Sequence, residues 1–256
     1  MATHADTPPR SAAAEHRFFL IASWLLAAMT IGGFALNAAA GRSSFAVPLV
    51  YHLHAFVFVG FIGLYTLQAT LAARGNAALH MRLGRIAALY VPLMLAMGTW
   101  LTFATLRILG GPPFFAQGEF LAVNLLHLAA FASLAFAALR MRGQADWHKR
   151  LMFGAMVTVS IPGIARLLPL PLLVPLVFPV IFAVASLFIL AGMIMDQRVN
   201  GAVHRAWWWA LLVPFAAMGA GEVLGASDQV RHWVAGYVAG TPGGARSPDP
   251  FMPPGF

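Results

Sequence analysis

The sequence contains no cysteine and few charged side chains. Of its 256 residues none is Cys, and Asp, Glu, Lys and Arg together make up 9%. The absence of cysteine excludes disulfides, thiolate metal sites, iron–sulfur clusters and covalently attached c-type haem. The scarcity of charge argues against a soluble domain, in which about a quarter of the residues are charged.

Motifs that mark several enzyme classes are missing as well. The sequence has no Walker loop, no dinucleotide-binding fingerprint and no His-Glu-x-x-His zinc motif. A nucleophile elbow is also absent. Function must therefore be inferred from other residues.

Hydrophobic residues dominate instead, at 60% of the chain. Seven segments approach the ~20 residues that a membrane-spanning helix needs. They are residues 18–39, 48–72, 84–107, 119–140, 150–168, 172–195 and 207–225. Continuous apolar runs favour helices over a membrane barrel, whose strands alternate. We therefore predict an all-α polytopic membrane bundle of about seven transmembrane helices in a lipid bilayer.

The basic residues are distributed unevenly between alternate loops. Eleven of the sixteen Lys and Arg residues fall on one side and five on the other. By the positive-inside rule, the N-terminus is cytoplasmic and the C-terminus periplasmic, in a bacterial inner membrane. The net charge of +8 thus reflects membrane topology and not binding to nucleic acid.

The two ends of the chain differ from the apolar middle. Residues 1–17 form a polar N-terminal segment without the layout of a signal peptide. Residues 240–256 are rich in Gly and Pro and are predicted to be a disordered tail. Residues 18–239 are predicted to form a single transmembrane domain.

An internal repeat is the most informative feature. Residues 74–83 (RGNAALHMRL) align without a gap to residues 142–151 (RGQADWHKRL), with six of ten positions identical. Each copy predicts one helical hairpin, over about 48–107 and 119–168. The two hairpins have the same orientation, so we expect a duplicated four-helix core with an axis along the membrane normal.

The repeat arranges four histidines in two pairs. His54 and His127 lie roughly one to two turns inside the outer end of the first helix of each hairpin. His80 and His148 lie at the cytoplasmic end, where the second helix begins. Ionisable residues within a membrane are functional candidates because burying them is costly. Facing neutral imidazoles suit axial ligation of haem iron, whereas a zinc site would need further ligands. The alternative for His54 and His127 is a hydrogen bond between helices, with Asn124 or Gln68 as partner.

A second reading uses the cytoplasmic loops. His80, His148 and His204 could converge as three nitrogen ligands of a metal, with Asp146 or Asp196 nearby, and leave a position open for activated water. The same loops could instead bind lipid phosphate and cap helices.

Two other ionisable residues, Arg166 and Glu222, and one further histidine, His52, lie in or near the predicted helices. Arg166 lies near the predicted level of His54 and His127, where it could pair with a haem propionate or extend to lipid headgroups. Glu222 could pair with Arg107 or Arg166, or mark a proton or substrate route. His52 points to another helix face than His54 and is interpreted as an interfacial residue.

In its layout the sequence resembles the ascorbate-reducible transmembrane di-haem cytochrome b family. The resemblance covers about residues 48–170 and implies that His54 with His127, and His80 with His148, each hold one haem. The His-x-Arg-Leu loops are also similar to those of uncharacterised bacterial multipass membrane proteins. The sequence contains no motif of an ascorbate-binding site.

These observations favour a membrane b-type haem protein, with one or two haem b groups, that exchanges electrons with quinol or a redox partner protein. Two alternatives remain open at this point. One is a metal-dependent enzyme built on the cytoplasmic histidines, and the other is a non-catalytic assembly, transport or sensor protein.

Overall fold

A computed structural model describes residues 10–251 and confirms the all-helical class. The described residues form eight α-helices and no β-strand. The helices are α1 (Arg10–Ala39), α2 (Leu49–Ala73), α3 (Ala77–Leu109), α4 (Gln117–Arg140), α5 (Ala145–Ala165), α6 (Val177–Asn200), α7 (Arg205–Gly225) and α8 (Asp228–Val238). Each of the seven predicted segments overlaps one of the helices α1 to α7, but residues 166–168 and 172–176 of the fifth and sixth segments lie outside α5 and α6. The short α8 is an addition that the hydropathy pattern did not predict.

Six of these helices, α1 to α4, α6 and α7, are long and apolar enough to cross a membrane. The chain is therefore a multipass membrane protein. α5 is more polar in its first two turns, with His148, Lys149 and Arg150 in succession, and its crossing of the bilayer stays a prediction.

The helices pack as a ring with α5 near its centre. α2 packs on α3, α3 on α4 and α4 on α5, while α1 contacts both α2 and α5. α6 and α7 pack on the other side of α5. α5 is consequently buried along nearly its whole length. It is surrounded by other helices, whereas the six helices around it each keep an exposed face.

The connections between helices lie at the two ends of the bundle. Residues 74–76, 141–144 and 201–204 join helices at one end, which we call the Arg150 end. In the first turn, Gly75 has a φ of 70°, and the Asn76 side chain accepts a hydrogen bond from the Leu79 backbone and so caps α3. The opposite end, which holds residues 40–48, 110–116 and 166–176, is called the Arg246 end.

The predicted boundary of the polar N-terminal segment is wrong for residues 10–17, which already belong to α1. The physical reason is the buried Glu15 carboxylate, which pairs with Arg150 and Lys149 of α5. Charge in this segment is therefore compatible with a packed helix. Residues 1–9 of the predicted segment lie outside the described residues.

The prediction of a disordered tail is wrong for residues 240–251, which we call the C-terminal segment. Residues Pro242–Ala245 form a 3-10 turn against α3. The Arg246 guanidinium donates to the Phe115 carbonyl at 2.6 Å and also to the Gly110 carbonyl. The Phe251 backbone N–H donates to the Pro113 carbonyl at 2.8 Å. The segment is ordered because backbone carbonyl groups of the loop between α3 and α4 accept its hydrogen bonds. Such long-range contacts cannot be predicted from composition. Residues 252–256 lie outside the described residues.

Candidate functional site

The structure brings two of the four candidate histidines together. His80 is the fourth residue of α3 and His148 the fourth of α5, so each ring lies in the first turn of its helix. The ring centres are 6.3 Å apart and the ring planes stand at 90°. Both side chains are half-buried. The two copies of the repeat therefore meet at the Arg150 end through equivalent side chains.

A backbone carbonyl of the preceding helix fixes each of these imidazoles. His80 Nδ1 lies 3.2 Å from the Gln68 carbonyl oxygen, and His148 Nδ1 lies 2.8 Å from the Ala138 carbonyl oxygen. A carbonyl oxygen only accepts hydrogen bonds, so Nδ1 carries the proton in both rings. Nε2 then keeps a free lone pair, which is the usual state of a metal-binding histidine.

The spacing of this pair suits a single metal atom between two imidazoles. A metal–nitrogen bond is about 2 Å long and the ring centre lies about 1 Å behind the nitrogen, so two opposed ligands have ring centres about 6 Å apart. The observed 6.3 Å agrees with that value. Haem iron takes one protein ligand on each side of its macrocycle. Two imidazoles whose Nδ1 atoms face carbonyl oxygens are the type of donor that haem iron takes from a protein.

The third histidine of the predicted metal site is used elsewhere. His204 Nδ1 accepts a hydrogen bond from the Ala206 backbone at 3.1 Å and so caps α7. The His204 ring packs against Trp147, with ring centres 5.0 Å apart. Within residues 10–251, no group of three or more His, Asp or Glu residues could hold a metal ion. The three-histidine arrangement is thus not formed in the described chain.

His54 lies in the Arg246 half of α2 and is half-buried. Its ring stacks on Phe58 of the same helix, with ring centres 3.9 Å apart. The backbone of Met97 in α3 interacts with this ring, but no described atom forms a hydrogen bond of ordinary geometry with Nδ1, which is buried. His52, two residues earlier, is exposed as expected. His54 therefore presents a buried polar atom without a hydrogen-bond partner.

His127 has different neighbours. Its buried ring interacts with the backbone of Thr158 in α5 and contacts Phe182 of α6, with ring centres 5.6 Å apart. Pro162 lacks an N–H, so the Thr158 carbonyl has no helical partner four residues later and is free to accept. No ring contact joins His54 and His127 within the described residues. The structure thus brings the His80 pair together, and it does not do so for the His54 pair.

Asn124 and Gln68 are the partners that a purely structural role of His54 and His127 would use. Both side chains form hydrogen bonds with other groups. The Asn124 side chain donates to the Phe120 carbonyl of its own helix at 2.7 Å. The Gln68 side chain donates to the His80 carbonyl at 2.9 Å. Gln68 therefore supports His80 and not His54.

Arg166 ends α5 at the Arg246 end. Its Nη1 donates to the Pro162 carbonyl at 2.6 Å, and its guanidinium carbon lies 3.9 Å from the centre of the Phe34 ring. The charge of Arg166 also acts on His54. Glu222 interacts electrostatically with Glu119.

Sequence reasoning missed a buried ionic cluster at the Arg150 end. Arg150 is 2% exposed, and it binds the fully buried Asp196 through two hydrogen bonds, of 2.8 Å from Nε and 2.5 Å from Nη2. Arg150 Nη2 also lies 2.6 Å from a Glu15 oxygen. Trp207 Nε1 donates to Asp196 at 2.8 Å. One guanidinium thus joins α1, α5 and α6, and Asp196 adds α7.

The outer part of this cluster is more exposed. The Lys149 ammonium lies 2.6 Å from Glu15 and 2.7 Å from Asp146. Asp196 and Glu15 had a signal in the sequence, since an ionised residue within an apolar helix must find a partner. The pairing itself requires knowledge of which helices are neighbours.

Comparison of the chain with protein families, with curated proteins and with solved structures gives no match.

Proposed function

We propose that this membrane protein binds b-type haem between His80 and His148 and transfers electrons within the bilayer or across it. The carrying observation is the separation of 6.3 Å between two imidazoles whose Nδ1 atoms are already bound to carbonyl groups. The internal repeat accounts for the pair, because each hairpin contributes one histidine at the equivalent position. The metal-enzyme alternative has less support, because His204 Nδ1 accepts the Ala206 N–H, so the ring proton lies on Nε2 and neither nitrogen keeps a lone pair for a metal.

The protein's own part in this function is to orient and polarise the ligands. The carbonyl groups of Gln68 and Ala138 hold the two rings and increase the basicity of Nε2. The Gln68 side chain binds the His80 carbonyl in return, so that α2 and the start of α3 are tied by two hydrogen bonds. Bound haem would supply one-electron chemistry that no side chain here provides.

His54 and His127 are the candidates for a second haem at the Arg246 end. Between the two levels, the rings of Phe61 and Phe131 meet with centres 5.3 Å apart and bridge α2 and α4. A second haem would require the two imidazoles to turn towards each other from their present neighbours. We therefore expect the His80 site to be the stronger of the two.

The proposed setting is a bacterial inner membrane with the Arg150 end in the cytoplasm. This assignment rests on the excess of basic residues in the loops at that end. Electrons would be exchanged with quinol or with a redox partner protein. Both directions of transfer are compatible with a site near one membrane face.

An absorption spectrum of the purified protein tests the proposal. After expression with a haem precursor, we expect a Soret band that shifts on reduction with dithionite. His80→Ala and His148→Ala should each remove it, whereas His52→Ala, which changes an exposed histidine two residues from His54, should retain it. Full haem content in both single variants, or no Soret band in the wild type, would refute the proposed site.

The haem content of the His54→Ala and His127→Ala variants shows whether the protein binds one haem or two. Loss of about half of the haem in each would indicate a second site. Unchanged haem content would assign a structural role to this pair and leave the His80 site as the whole cofactor centre.

A further inference from the structure

A groove on the outside of the bundle lies between α1 and α6 at the Arg150 end. Its volume is about 460 Å³, and Phe18, Ala22, Leu25, Phe188 and Ala191 form most of its wall. This volume lies within the range of about 300–1,000 Å³ that ligand sites occupy. Both helices are long and apolar enough to cross the membrane, so the groove opens towards lipid hydrocarbon.

Among the residues that the structure describes, one charged side chain borders this groove. Arg17 is exposed and lines it near the start of α1. It forms no hydrogen bond or ion pair with any residue in the described part of the chain, although the neighbouring Glu15 is fully engaged with Lys149 and Arg150. A guanidinium beside an apolar groove suits a phosphate group attached to a hydrocarbon chain.

The length of the groove indicates the size of that chain. From Ala14 to Leu25 the axis of α1 rises by about 16 Å. The hydrocarbon core of a bilayer is about 30 Å thick, so the groove spans about one leaflet. An acyl chain of a phospholipid has this reach, and its headgroup would then lie at the level of Arg17.

We propose that the α1–α6 groove binds one anionic glycerophospholipid, with an acyl chain along Phe18, Ala22 and Phe188 and the phosphate on Arg17. The site is separate from the His80 and His148 pair and does not depend on haem. The lipid would fill the groove between α1 and α6 beside the buried Arg150 cluster, which joins the same two helices.

Native mass spectrometry of the delipidated full-length protein tests this site. The probes are dioleoylphosphatidylglycerol and, for comparison, zwitterionic dioleoylphosphatidylcholine. We expect one phosphatidylglycerol to bind at least about fivefold more tightly than phosphatidylcholine, which is the contribution of one basic residue near an anionic headgroup. Arg17→Gln should reduce binding of phosphatidylglycerol to the level of phosphatidylcholine.

Two further variants separate the groove from general surface charge. Ala191→Trp, at an exposed position in the wall, should fill the groove and weaken binding of both lipids. Arg198→Gln removes an exposed charge at the same end of the bundle, outside the groove, and should leave binding unchanged. Equal binding of the two lipids by the wild type, unchanged binding in Arg17→Gln, or a preference for an isoprenoid quinone over phosphatidylglycerol would each overturn the proposal.

Discussion

At the scale of single residues, the bonds at Nδ1 distinguish the histidines of this chain. His80 and His148 donate from Nδ1 to carbonyl groups and keep Nε2 free, whereas Nδ1 of His204 accepts from the backbone. His54 has a buried Nδ1 without a hydrogen-bond partner among the described residues. The same residue type therefore has three roles, which local contacts decide.

The Arg150–Asp196 pair gives a first prediction. Asp196→Asn keeps the shape of the side chain but leaves the buried guanidinium without its bidentate partner. Breaking a buried ion pair in this way costs about 3–5 kcal/mol. We expect the variant to lose stability on this scale in denaturant unfolding in detergent micelles.

An exposed ion pair provides the control for this variant. Arg231 and Asp249 are 3.1 Å apart with side chains 49% and 59% exposed, so Asp249→Asn should cost at most about 1 kcal/mol. Equal losses in Asp196→Asn and Asp249→Asn would contradict the structural role of the buried pair.

The His204 imidazole gives a prediction about pH. Burial, and then the charge of Arg150, lowers the pKa of His204 below its usual value of 6.5, against the opposing effect of Asp146 and Asp196. Below that pH the unfolded chain binds a proton that the folded chain resists. The contribution of His204 to stability is thus present above pH 6.5 and is lost as the pH falls.

Melting temperatures between about pH 8 and about pH 5 measure this effect. His204→Asn retains a side chain that can cap α7 but cannot titrate, so its stability should fall less steeply with pH than that of the wild type. An unchanged slope in His204→Asn would show that this residue is not coupled to folding.

At the scale of helices, close crossings depend on glycine. A Cβ atom on Gly225 of α7 would overlap the backbone of Glu119 in α4, whereas a Cβ on Gly219 of the same helix would meet no atom within 4 Å. Small residues allow membrane helices to approach each other in this way. The crossing of α4 and α7 therefore needs glycine at one of these positions and not at the other.

The two glycines make a matched pair of variants. Gly225→Ala should destabilise the protein by about 1–3 kcal/mol because the helices must separate. Gly219→Ala should be neutral or stabilising, since Ala favours a helix by up to about 1 kcal/mol over Gly. Unfolding in detergent compares them, and equal effects would argue against close contact of α4 and α7.

The repeat also diverges at this scale. Arg82 and Arg150 occupy equivalent positions of the aligned segments, yet Arg82 is exposed and Arg150 is buried. The difference arises because α5 is enclosed by α1, α6 and α7, whereas the start of α3 lies at the edge of the bundle. Sequence equivalence predicted the meeting of His80 with His148 but not the different fates of these two arginines.

At the scale of the whole molecule, the number and direction of crossings can be measured. If α5 spans the bilayer, residues 143 and 172 lie on opposite sides. A fluorescent reporter fused after residue 143 should be active in the cytoplasm, and a phosphatase fused after residue 172 should be active in the periplasm. Activity of the same reporter at both positions would mean that α5 does not cross, and the exchanged pattern would reverse the proposed orientation.

The sequence by itself determined that the chain is a helical membrane protein, because apolar segments of spanning length are a property of composition and order. It also determined that the second helices of the two hairpins begin with equivalent histidines. Only the tertiary structure decided that His80 faces His148 while His54 and His127 have separate neighbours, that Arg150 finds Asp196 and Glu15, and that the C-terminal segment binds the loop between α3 and α4. These contacts join residues far apart in the chain, and their geometry depends on which helices are adjacent and how each is rotated, which hydropathy does not encode.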